Sequence, residues 1–187
     1  MEFLRLQLAD AQAWCAGRSP WPRLVVLGLL VWLMVRQMGD GFYATPLSGI
    51  NLGIHEAGHL LFRFAGDFVM TAAGTATQVA APLVAGYVLR RQGDWFGVAF
   101  ALFWCGVSLG EMSVYAGDAV AQALPLVSVG GGEVHHDWAW MLGELNLLDH
   151  TGAISGLMAT GAVGLQALGF GFGAWLVWCQ FTTPSSP

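Results

Sequence analysis

Residues 151–181 read TGAISGLMATGAVGLQALGFGFGAWLVWCQF, thirty-one positions without one charged side chain. A bilayer core is crossed by about 20 apolar residues of helix, so this run reads as a membrane span over 154–181. Working back along the chain, 68–89 is bracketed by Asp67 and Arg90 with no charge between, and 95–115 is apolar except for Glu111. Residues 24–38 form a shorter apolar run, with Arg36 near its end, where a long side chain can snorkel to the interface. Residues 50–65 are apolar apart from Asn51, His55, Glu56, His59 and Arg63. The expectation is an all-α polytopic membrane protein: one domain over 1–187, with five spans, the second carrying the ionisable cluster.

Composition agrees. Hydrophobic residues make up 56% of the 187, charged residues 10%. Soluble domains carry roughly 25% charged residues. A soluble enzyme is thereby excluded, and a net charge of −5 leaves no basic footprint for nucleic acid. The location expected is the bacterial inner membrane, with the lipid bilayer as an obligatory partner. In the first twenty residues Leu4, Leu6, Leu8, Ala11 and Trp14 fall near one helical face, as in a helix lying on the membrane surface. Trp21, Trp95, Trp175 and Trp178 stand near span ends, where interfacial belts form. Five spans with an inside N-terminus would place four arginines inside and three outside, too even a split to orient the chain.

Glycine pairs spaced by four (Gly49/Gly53, Gly152/Gly156, Gly169/Gly173) suit close helix packing, inside the chain or against a partner helix. Cys105 and Cys179 sit in apolar runs, as small hydrophobes do. Residues 117–150 form one long connection that is free of arginine. Within it 138–148 can form a short or re-entrant helix, and Gly130–Gly132 is a candidate gate.

The chemistry concentrates in His55-Glu56-Ala57-Gly58-His59, an H-E-x-x-H pattern. On a helix the two imidazoles share a face and suit one tetrahedral zinc ion, with Glu56 beside it as catalytic base. Three ionisable groups within five residues of a membrane segment are costly unless paired or bound. Loop candidates for a third metal ligand are His136 and Asp137, in His135-His136-Asp137-Trp138, and Asp149. Glu111 is either a carboxylate orienting a histidine or a group at a span end. Gln78 bonds either a substrate backbone or a neighbouring helix. Arg63 can pair with Asp67 at the interface.

A HEAGH motif inside a membrane segment resembles the site-2 protease family of intramembrane zinc metallopeptidases. The resemblance covers residues 55–59 well and the rest only by architecture. It implies that His55 and His59 hold zinc with a downstream aspartate, that Glu56 is the base, and that a peptide bond of a membrane protein substrate is hydrolysed. The family's aspartate opens a later span in a Leu-Asp-Gly motif. Leu148-Asp149-His150 is similar, with the glycine replaced. The other reading is a non-catalytic subunit of a larger membrane complex that keeps a metal site or its relic.

Overall fold

The computed structural model describes residues 2–126 and 135–183, so Gly130–Gly132 lies outside the described residues. Among these every regular element is helical: α1 Glu2–Trp14, α2 Trp21–Gly39, α3 Ser48–Phe62, α4 Asp67–Arg91, α5 Trp95–Gly117, α6 Asp137–Glu144, a 3-10 turn Leu148–His150, and α7 Thr151–Thr182. Helices α2, α4, α5 and the 148–182 unit are long and apolar enough to cross a membrane. The all-α polytopic expectation therefore holds.

The fifth expected span does not reach that length. With 15 residues, α3 extends about 22 Å, against roughly 30 Å of hydrocarbon. Its neighbours explain how it fits. Helix α3 packs antiparallel on α4, with Ile54 beside Thr77 and His59 beside Met70. Helix α4 is antiparallel to α5, where Gly86 faces Ala101. Helix α2 runs the same way as α5, with Gln37 donating to the Val107 carbonyl. So α2 and α3 follow one another in sequence and point in the same direction. Between them residues 40–47 turn back along α5, with Gly41 against Val114 and Thr45 at Glu111. The first turn of α3 thus lies part-way along α5, with Ser48 at Glu111 and Asn51 between Glu111 and Trp104, and the helix rises to the face where α4 begins. Hydropathy alone reads such a half-depth helix as a span. Asp40, Gly41 and Pro46 in the preceding segment are the sequence marks of the turn.

Helix α5 is the central element, packed on α7, α4 and α2. Gly169 lets α7 approach the α5 backbone closely: a Cβ there would lie 2.5 Å from the Phe103 nitrogen and 2.7 Å from the Ala99 carbonyl oxygen. Gly173 packs against Leu27 in the same way, whereas Gly49, Gly53, Gly152 and Gly156 face open space. Midway, Gln166 donates to Gln37 at 2.7 Å, tying α7 to α2. Phe103, Val107, Leu30 and Leu33 fill the apolar centre.

Helix α1 lies against one end of this bundle. Ala11 and Cys15 are fully buried there with Leu176 and Cys179, while Leu4, Leu6 and Leu8 are exposed. That is the division expected of a surface-lying helix. All three cysteines are free and buried. Of the four tryptophans expected in a belt, Trp21 and Trp178 are exposed, but Trp95 is buried in the cluster under α1. Arg63 and Asp67 form no ion pair among the described residues.

Candidate metal centre

The motif helix owes its position to glycines. Gly66, at φ 89°, makes the turn that folds α3 back on α4. Gly58, inside the motif, faces the backbone of α4, where a Cβ would lie 2.8 Å from the Ala73 carbonyl carbon. Across from it, Gly74 leaves room for the imidazoles. A Cβ at 74 would lie 2.6 Å from Nε2 of both His55 and His59.

Each imidazole is fixed from behind. His55 Nδ1 donates to Gln78 Oε1 at 3.2 Å, and His59 Nδ1 donates to the Met70 carbonyl at 2.9 Å. With the proton on Nδ1, the Nε2 lone pairs point forward, the arrangement that orients metal-bound histidines. Both meet the same atom: Asp137 Oδ2 lies 2.8 Å from His55 Nε2 and 3.2 Å from His59 Nε2. Tetrahedral zinc with bonds of about 2.0 Å sets its ligand atoms roughly 3.3 Å apart, so small side-chain adjustments separate this arrangement from a coordination site. Ligand atoms of His55, Glu56 and His59 fall within 4.8 Å of one another. Two nitrogens and a carboxylate oxygen, with a second carboxylate alongside, form a donor set suited to a divalent cation of the zinc type.

Asp137 is delivered by the connection after α5. It is the first residue of α6, and its backbone N–H donates to Tyr115 Oη at 3.0 Å. Phe68 against Trp140 holds α6 on α4.

The three candidate third ligands separate clearly. Asp137 joins the histidines. His136 turns away: its Nδ1 accepts from the Ala139 N–H as the cap of α6, and its buried Nε2 lies 3.4 Å from Asp118 Oδ2. His136 thus presents its second nitrogen to Asp118 and not to the space between His55 and His59. Asp149 sits exposed on the 3-10 turn before α7, outside the cavity. Of the short helix expected over 138–148, α6 covers Asp137–Glu144, and its first residue is the one that meets the histidines.

The centre opens into a cavity of about 610 Å³. Glu56, His135 and Glu111 line it. Glu111 does not orient a histidine. It accepts from Ser48 Oγ at 2.5 Å, Asn51 Nδ2 at 2.6 Å and Thr45 Oγ1 at 3.3 Å, and so anchors the buried start of α3. Gln78, read from sequence as a substrate contact or interhelical bond, is the residue that orients His55.

Compared with protein-family models, with curated proteins and with solved structures, the chain matches none.

Proposed function

We propose that this protein is an intramembrane zinc metallopeptidase, with His55, His59 and Asp137 as metal ligands and Glu56 as general base. One observation carries the reading: two imidazoles with their Nδ1 protons tied down converge through Nε2 on a single carboxylate oxygen, beside a further carboxylate. Zinc in such a site supplies Lewis acidity, lowering the pKa of water toward about 7 and polarising a carbonyl.

The chain's own groups account for the rest. Glu56 follows His55 directly and lines the cavity, where it takes a proton from the attacking water and passes it to the leaving amine. Gln78 and the Met70 carbonyl hold the imidazoles in one tautomer through the cycle. Met70 and Gln78 stand three and eleven residues into α4, so the centre lies about 5 to 16 Å below that end of the bundle. Water reaches it through the cavity, and a substrate helix must unwind locally there, because its peptide groups are shielded by their own hydrogen bonds.

The test compares membrane-protein fragments in cells carrying the wild type or Glu56→Gln. The reading expects at least one cleavage product to disappear with Glu56→Gln while metal content is retained. If metal is retained and every fragment persists, the site is a structural one in a non-catalytic subunit.

A further inference from the structure

We infer that the α1 face of the bundle is cytoplasmic and that the HEAGH cavity opens toward the opposite, exoplasmic compartment, where it takes its substrate. The orientation stands on two observations that do not depend on a bound metal.

The first is the course of α3. Because α2 and α3 run parallel and the 40–47 segment turns back beside α5, α3 ends on the face that α2 approaches. Among the described residues only α2, α4, α5 and the 148–182 unit are long and apolar enough to cross. The α4–α5 turn therefore lies on the same face as α1, and contacts agree: Arg90 Nε donates to Gln7 Oε1 at 2.7 Å, and Arg90 Nη2 lies 3.4 Å from Asp10.

The second is the charge this course collects. Arg5, Arg18, Arg23, Arg90 and Arg91 all fall on the α1 face. Arg36 and Arg63 are the two arginines left for the other. Five against two replaces the even split that a fully spanning α3 would give, and arginine excess in short loops marks the cytoplasmic side. The α1 face is also built for an anionic leaflet. Arg18 and Arg23 sit over Trp14 at 4.6 and 4.8 Å from its ring centre, and Arg90 over Trp95 at 4.2 Å. Leucines of α1 are exposed beside them. The opposite face carries Asp40, Asp67, Asp118, Glu144 and Asp149.

What the cavity does there rests on the hydrolase reading. Its substrate is then a membrane protein cut in the exoplasmic half of a span, with one fragment released to that side.

The experiment labels single added cysteines with a membrane-impermeant maleimide in intact and permeabilised cells. The native cysteines are at most 6% exposed, so the parent chain supplies the baseline. Ala121→Cys and Leu145→Cys, exposed on the cavity face, are expected to label in intact cells. Ser19→Cys and Gln92→Cys, exposed on the α1 face, are expected to label only after permeabilisation. The reverse pattern, or labelling of both pairs in intact cells, overturns the orientation. Either result leaves the metal centre untouched, and loss of metal binding would leave the orientation standing.

Discussion

Replacing Gly74 by alanine tests the metal centre through a residue that carries no chemistry. The added Cβ would lie 2.6 Å from Nε2 of both His55 and His59. Ordinary contacts of this kind are about 3.5 Å, so both rings must give way by roughly 0.9 Å. Neither can do so freely, because Gln78 and the Met70 carbonyl hold their Nδ1 sides. Overpacking of this kind costs about 1–3 kcal/mol, which corresponds to a roughly 5- to 150-fold weaker metal affinity. Within α4 itself the change favours the fold, since alanine is about 1 kcal/mol better than glycine in a helix. Part of the overpacking falls on the metal-free fold as well, so its melting temperature is measured beside the affinity. Affinity is read by competition with a chromophoric chelator on detergent-purified protein, with helicity checked by circular dichroism. Gly164→Ala is the control, because a Cβ there meets nothing within 4 Å. Wild-type zinc affinity in Gly74→Ala would refute the placement of both imidazoles.

Other perturbations separate the supporting roles. Gln78→Leu removes the acceptor for His55 Nδ1 and should weaken metal binding about 10- to 100-fold. Gln78→Glu should keep binding near wild type, both read by the same competition assay. Glu111→Leu strands the donors of Ser48 and Asn51 and should cost about 2 kcal/mol or more, lowering the melting temperature by several degrees. Metal removal by chelation should also lower the melting temperature; zinc held at a hundred times Kd stabilises by about 2.7 kcal/mol. That difference should vanish in Asp137→Ala but persist in Asp149→Ala, a contrast that checks which aspartate belongs to the site.

Much of this was legible in the amino-acid order, for physical reasons that also explain what was not. Apolar runs identify α2, α4, α5 and α7, with Arg36 near the end of the first and Glu111 within the third, and the i, i+4 spacing of His55 and His59 puts them on one face. The density of ligand types at 135–137 marked that segment, with His136, Asp137 and Asp149 left open as the third ligand, and the fold brings Asp137 to both histidines. Choosing it over His136 required the α6 cap, because which of two neighbours turns inward depends on where a helix starts. A backbone acceptor such as the Met70 carbonyl has no sequence signal at all. Gln78 was visible as a polar residue in an apolar run, but its partner was not. The half-depth course of α3 escaped hydropathy because a short buried helix and a span have the same composition. Arginine counting changed with it, since one crossing fewer moves Arg63, Arg90 and Arg91 to the other face.

Elemental analysis of the detergent-purified protein, with His59→Ala and Asp137→Ala beside it, tests the central claim most directly. The account predicts about one zinc per chain in the wild type and a large loss in both variants. Well-folded wild-type protein without zinc, or zinc retained in both variants, would contradict it.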